Sequence, residues 1–534
     1  MKRTLVLSTV LAMTLVTAFA QNPDQPRALV VGMGTYDIEL NPYKSIYAHE
    51  MQIFTGLYEG LFTYDPQSLD PIRAEAESFT KSKDGKTWTF TIRDDARWAD
   101  GTKVTATDYV ESWRYLLSPA TKAEYAVFFD IVKGAKDFRT GKTKNPDTIG
   151  IKAEGDKTLI VQLDAPAAYF TRLLCHSAFV PIHASLRGTR IWKPSDIIGN
   201  GPYQIASTDA TSLVMTRSST YWDTANVAIP TIRVLFLGSD DEATQRYNDG
   251  DIDWLTDMAN LDTLLSPDAI QFSPMFATGY YFWNTSLKPW NDPRIRRALS
   301  LLVPWEKIRT EEKYYAPTSV LILPFAGYKS PDGITKADEA EALRLLAAAG
   351  HAKGKGLPPI KFISYESKLH DENLDIMAEA WKKVGLSIER VVVPNGATIR
   401  DIRQKGFTLS FTSWIGDFAD PAAFLLMWTS DSGLNEAGYK SRAYDNLIAR
   451  SMTEEGSTRL ATLAEAEGTL LSDAPLMPLY HSISFNVIDL ESITGWYQNP
   501  LDVHPFKTMG FGVRKAKPYV ASTQGSSMAL ESRD

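Results

Sequence analysis

Hydrophobic and polar positions along this chain keep two different rhythms, one period-two and strand-like, the other set by helices alternating with short apolar runs. Ala28–Gly34 is a continuous apolar run closed by glycine and predicts a buried strand. Ile53–Phe62 predicts a short helix and turn with Leu57, Tyr58 and Leu61 on one side. Trp88, Phe90 and Ile92 then alternate with Thr87, Thr89, Thr91 and Arg93, which is the pattern of a half-buried strand. Thr105 and Asp108 stand at capping-box spacing before a helix carrying Val110, Trp113 and Leu117, with Pro119 beyond its end. A further strand is expected at Thr158–Leu163, so this stretch reads as a compact α+β unit. Gly199–Tyr203 predicts a turn feeding a strand, and Thr231–Leu237 another strand.

The second half has a clearer α/β beat. A helix at Asp338–Ala349 is closed by Gly350, and the strand Ile360–Ser364 follows. Leu374, Met377, Trp381 and Val384 then share one helical face that ends at Gly385. The strand Leu386–Val393, a helix near Thr398–Lys405 and the strand Phe407–Phe411 complete the series. Such alternation predicts an open, largely parallel sheet, whose ligands bind beyond the carboxyl ends of the strands.

Composition narrows the function classes. A chain of 534 residues with 44% hydrophobic positions has material for two or three domains. Lys2 and Arg3, the apolar stretch Leu5–Val16 and Ala18-Phe19-Ala20 read as a cleavable export signal. Gln21 stands where a lipoprotein would carry Cys, so a soluble chain Gln21–Asp534 is expected in the periplasm. The single Cys175 permits no intrachain bridge. The formal net charge of −8, or −10 without Lys2 and Arg3, argues against nucleic acid or anionic lipid as partner. Gly32-Met33-Gly34 lacks the third glycine of a dinucleotide loop, Asp37 standing there, and Asp249–Asp253 reads as a solvated turn rather than a calcium loop. There is no His-Glu-x-x-His or Gly-x-Ser-x-Gly motif, and the seven histidines are scattered. No catalytic residue, metal site or cofactor is therefore expected, and the chain past Lys515 lacks periodicity, as a mobile tail does.

The candidate chemistry sits at Ser413–Pro421. Asp417 is framed by Trp414 and Phe418 just past a predicted strand, and an acid with aromatic neighbours suits a ligand amine. An isolated aspartate of this kind is otherwise a turn or cap residue.

Several blocks, in order, resemble the oligopeptide-binding family of extracellular solute-binding proteins that serve ABC importers (family 5). They are Leu57–Leu61, Trp88–Arg93, Ala96–Ala106, Gly199–Tyr203, Tyr221–Asp223, Asn291–Leu299, Asp417–Pro421 and Tyr439–Ser441. The resemblance implies a two-lobed, periplasmic-binding-protein-like α/β fold with an inserted α+β domain. One lobe would be 28–67, 189–283 and 496–515, the insert 68–188, and the other lobe 284–495. It also implies a monomer that captures an oligopeptide between the lobes and delivers it to permease subunits in the inner membrane. By the same resemblance Asp417 would pair with the peptide amine, and His370 and Arg403 match a family His and Arg near the ligand. Read from the residues alone, His370 is equally a surface histidine at a helix start, and Arg403 a charge on a solvated helix face. Tyr280, Tyr281 and Trp283 would enter the cleft on an inter-lobe strand, as core or as lining. Two departures stand out: Phe411 occupies the place of a family Arg, and Gly396 falls where a Trp is expected. Rival readings are a periplasmic peptidase using Asp417 and Asp420, and a non-peptide ligand. That ligand would be a metal chelate, or a sugar stacked on Trp283, Trp290, Trp414 and Trp428.

Overall fold

Two long strands tie the molecule together. Ile270–Trp283 and Leu476–Ile488 run antiparallel side by side in the middle of an 11-stranded sheet. On one flank lie Leu409–Ile415, Ile360–Ser364 and Ile388–Val392; on the other lie Trp254–Thr256, Ala28–Gly34, Thr231–Leu237, Ser212–Arg217 and Tyr203–Thr208. The computed structural model describes residues 27–35, 38–167, 169–188, 192–256, 258–314, 316–324, 327–393, 399–404, 406–416, 418 and 420–513. The expected export signal, Asp37, Gly396, Asp417 and the tail past Lys515 lie outside the described residues.

The central pair changes register midway. Ile270–Pro274 pairs with Ile483–Val487, and Thr278–Phe282 pairs with Leu476–His481, with shifts between Pro274 and Thr278 and again at Gly279/Tyr280. Phe276, in the break, bonds elsewhere: its N–H donates to Pro500 O (2.7 Å) and its carbonyl accepts from Gly416 N (2.7 Å). A bulge frees backbone from the ladder and bends the strand. This one falls where the two flanks of the sheet meet.

The sheet is mixed rather than largely parallel. Ala28–Gly34 is parallel to Thr231–Leu237 and Trp254–Thr256, and Ile360–Ser364 to Ile388–Val392 and Leu409–Ile415. Every pairing made by the two long strands is antiparallel. The local beat of strands and helices predicts its own flank correctly but carries no information about strands returning from elsewhere in the chain.

Away from this sheet, Ala76–Lys81, Thr87–Ile92, Thr158–Gln162 and Ile151–Glu154 form an antiparallel sheet of their own. The helix Ala106–Leu117 packs against it, and Thr105 and Asp108 cap it reciprocally, at 3.3 Å and 3.0 Å. Trp88, Phe90 and Ile92 are buried while the threonines between them are half-buried.

Two local expectations shift. The first helix is Ala48–Leu57, five residues earlier than the pattern indicates, because its N-cap Tyr47 makes no capping bond and so leaves no signal. The strand after Phe407 is Leu409–Ile415, since Trp414 and Ile415 are drawn into pairing with Thr278 and Ala277.

Candidate functional site

Where Leu409–Ile415 ends, its last residues face, across a cavity, the helix Ala48–Leu57, which packs on Tyr203–Thr208 of the opposite flank. This cavity, about 220 Å³, is lined by Ser413–Gly416 on one side and by Met51, Phe54 and Tyr58 on the other. Tyr125 and His176, from near the smaller sheet, and Leu501 and Lys507 complete its wall. A second cavity of about 100 Å³ adjoins it and shares Ile46, Tyr47, Ser413 and Trp414. Both are far larger than the ~10–15 Å³ that admits one water molecule. The walls are aromatic and apolar with few charges, as in sites that bury a ligand.

The structure separates the expected site residues into groups. Trp414 divides the two cavities; its indole N–H donates to Ala423 O at 3.0 Å, which fixes the ring. Tyr280 lines the smaller cavity, its ring 5.7 Å from Trp428. Arg403 lines it too, but not as a solvated charge. Its guanidinium donates to Glu436 at 2.7 Å, to Ser410 Oγ at 2.9 Å and to Phe411 O, and lies 4.8 Å over Phe282. An arginine so fully engaged at 7% exposure is a fixed wall of the site.

Tyr281, Trp283 and His370 do not line either cavity. Trp283 is sealed between Trp290 (5.3 Å) and Trp381 (5.8 Å) in a core of its own. Tyr281 is fully buried and its hydroxyl shares a hydrogen bond with His370 Nδ1 at 3.1 Å. His370 is buried, against both its surface reading and a cationic role. Its ring lies 4.0 Å from Phe411, and burial holds its pKa down to about 4. The imidazole is therefore neutral at neutral pH.

A histidine with a folded-state pKa below its unfolded value binds fewer protons when folded. It therefore removes stability as pH falls from about 6.5 towards 4, and has no such effect above that window. His370→Gln is expected to lose its disadvantage against the parent by about 2–3 kcal/mol between pH 7 and pH 4.5. Urea midpoints at the two pH values measure it; a gap that does not change with pH contradicts a neutral, buried His370.

Phe418 has another place again. It is fully buried, stacked on Tyr169 and set edge-on to Phe128, each 5.5 Å away. Arg459 lies 4.7 Å over the Tyr169 ring and forms a two-pronged pair with Asp420, at 2.7 and 2.9 Å. Nearby, Lys136 and Arg139 reach Asp431 at 3.3 and 3.4 Å. These contacts fasten the chain after Leu409–Ile415 to the unit carrying the smaller sheet.

Glu59 and Lys507 are cavity residues that sequence reasoning missed. Glu59 is buried and accepts from Lys507 Nζ (2.5 Å), Tyr221 OH (2.7 Å) and Trp222 Nε1 (2.6 Å). Asn200 bridges the Glu59 backbone to the Glu75 carboxyl, which also accepts from Tyr109. A Cβ on Gly199 would stand 2.1 Å from Leu57 O, so that turn admits glycine alone. The blocks at 57–61, 199–203 and 221–223 thus meet in one polar knot behind the cavity. An acid inside the apolar run Leu57–Leu61 was the available signal; Lys507 had none.

Residues 70–436 match the family described as bacterial extracellular solute-binding proteins, family 5. The chain belongs to that family. It is 32% identical to the periplasmic oligopeptide-binding protein OppA of Escherichia coli K12, over 94% of this chain and 97% of that one. Among solved structures, the murein tripeptide-binding protein MppA of E. coli superposes with a TM-score of 0.82 at 30% identity, covering 92% of this chain and 99% of the other. Haemophilus influenzae OppA in complex with the peptide RPPGFSPFR gives 0.82 at 25% identity, over 91% and 99%. The unliganded open form of MppA gives only 0.60, over 91% and 98%. The fold is therefore the two-lobed α/β architecture of these proteins. Among the described residues no helix is long and apolar enough to cross a membrane.

Proposed function

We propose that this protein is the solute-binding component of an ABC importer, a monomer that captures short peptides between its lobes and delivers them to membrane permease subunits. The observation that carries this reading is a cavity between the end of Leu409–Ile415, on one flank of the sheet, and the helix Ala48–Leu57, which packs on Tyr203–Thr208 of the other flank, the two flanks being joined through two long strands with a register break. Such a joint permits the flanks to move as bodies and close around a ligand. The higher likeness to the peptide complex than to the unliganded open form agrees with a closed arrangement.

In this reading Asp417 receives the peptide amine, Trp414, Tyr280 and Arg403 line the site, and Phe418 fastens the closed state. Tyr281, Trp283 and His370 support the wall from behind. The lobes are 28–67, 189–283 and 496–515 against 284–495, with 68–188 inserted. The protein works in the periplasm, reached through a cleavable signal at residues 1–20, and catalyses no reaction. Sugar stacking finds less support: Trp283 and Trp290 stack on each other in a sealed core.

Native mass spectrometry of the protein as purified tests the ligand class. Co-purified masses differing by amino-acid residue weights are expected; a uniform mass of other composition overturns the peptide reading. Small-angle scattering tests the mechanics. A saturating peptide is expected to shrink the particle, because a ligand shifts an equilibrium only by its differential affinity for the two states. Identical dimensions with and without peptide contradict closure.

A further inference from the structure

Resting on the reading in which Asp417 receives the peptide amine, we infer that Asp502 is a positioning residue for that contact. Asp502 lines neither cavity. It pins the turn Asn499–His504, and the turn in turn sets the register break at Phe276 and, through it, Gly416, the residue before Asp417.

The turn is tightly built. Asn499 is buried; its side-chain oxygen accepts from Leu501 N at 3.1 Å and Val503 N at 3.3 Å, and its amide donates to Val503 O at 2.9 Å. Within the turn Asp502 takes a φ of +52°, in the left-handed region. That region strains every residue with a Cβ, Asp and Asn less than most. Such strain persists where the surroundings hold it, and here the Asp502 carboxylate supplies the hold. Its Oδ1 accepts from Asn486 Nδ2 at 3.0 Å and from His504 Nε2 at 3.1 Å. Asn486 is buried on the long strand Leu476–Ile488, and its own oxygen accepts from the Trp254 indole at 2.9 Å, which fixes the direction of its amide.

The near end of the turn reaches the other long strand. Pro500 O accepts from Phe276 N, and Phe276 O accepts from Gly416 N, both at 2.7 Å. Between Pro274 and Thr278 the register of the two long strands shifts, so these two bonds carry what the ladder carries elsewhere. One short turn thus braces Leu476–Ile488 through Asp502 and Ile270–Trp283 through Pro500. Loss of the Asp502 carboxylate frees the brace at one end, and the displacement passes along two backbone bonds to the end of Leu409–Ile415. A charge-assisted hydrogen bond made just beyond that end weakens steeply with misalignment.

Calorimetric titration of the full-length protein with Ala-Phe-Ala and with its N-acetylated form tests this directly. Asp502→Ala is expected to weaken the free-amine peptide by about ten-fold or more and the acetylated peptide by less than about three-fold, since the latter has no ammonium to misplace. Asp502→Asn keeps the acceptor oxygen and tolerates the left-handed backbone, so it should stay within about three-fold of the parent for both peptides. Where the alanine variant fails to fold, Asp502→Gly removes the acid and also relieves the backbone, and the same amine-selective loss is expected. Equal losses on the two peptides mean that Asp502 merely supports the fold, and overturn the inference. Unchanged affinities in the folded alanine or glycine variant overturn it as well, while a parent that still prefers the free amine leaves the reading of Asp417 standing. A parent that binds the two peptides alike overturns that reading, and the inference falls with it.

Discussion

Asp417→Ala is expected to weaken binding of a tripeptide by tens- to thousands-fold. Removing one partner of a desolvated, hydrogen-bonded charge pair costs about 2–5 kcal/mol, and each 1.4 kcal/mol is a factor of ten. The chain on either side is firmly held. Gly416 lines the larger cavity and its N–H is tied to Phe276 O, while Phe418 is clamped between aromatic rings. A Cβ on Gly416 would fall 2.4 Å from the Phe276 ring, so the backbone passes close against its neighbour there. A cycle with amino-terminally acetylated peptide identifies the partner of the carboxylate. In the parent protein acetylation should cost about as much as the substitution. In Asp417→Ala it should cost almost nothing. If acetylation remains as damaging in the variant, the amine is read by another residue. Thermal melting without ligand serves as the control for folding.

What could be read from the chain follows the range of the interactions involved. Thr231–Leu237 and Ile360–Ser364 form at the predicted bounds, because short apolar runs between turn residues are strands wherever they pair. Leu374, Met377 and Trp381 are buried, as a 3.6-residue period requires of a helix laid on a core, and Val384 is buried just past its end at Lys382. The site was less legible because its contacts join distant segments. Arg403 looks like a solvated charge until Glu436 and the carbonyl of Phe411 are brought beside it. Lys507 acquires meaning only against Glu59, 448 residues away. Tyr281 and Trp283 share a strand with Tyr280, yet alternation and the turn of the chain put them into a different core. Of the family blocks, those around Glu59 build a scaffold behind the cavity, so a match in sequence there reports on the fold before it reports on the ligand.

Phe418→Ala is expected to lower peptide affinity by about 10- to 150-fold, since burying a phenylalanine side chain is worth about 1.5–3 kcal/mol. The effect depends on which state holds the contact. Phe418 follows the last strand of one flank, whereas Tyr169 and Phe128 belong to the unit carrying the smaller sheet. If the lobes part without ligand, this burial exists in the closed state alone, and its loss falls on binding rather than on folding of the free protein. The variant should then melt close to the parent when empty and well below it when saturated with peptide. A phenylalanine buried in both states behaves differently: its removal from a permanent core costs about 3–5 kcal/mol of stability. Melting of the empty variant would then fall steeply while affinity stayed the same, and the clamp would be a fixed joint. Asp431→Ala provides the contrast. Its partners Lys136 and Arg139 are 53% and 10% exposed, and Arg139 keeps its stronger pair with Asp130 at 2.6 Å. A partly screened pair of this kind is worth about 1 kcal/mol or less, so closure should weaken by no more than about five-fold. The ordering of the two variants, aromatic clamp well above ion pair, follows from desolvation: the rings lose water completely on closing, and the charges do not.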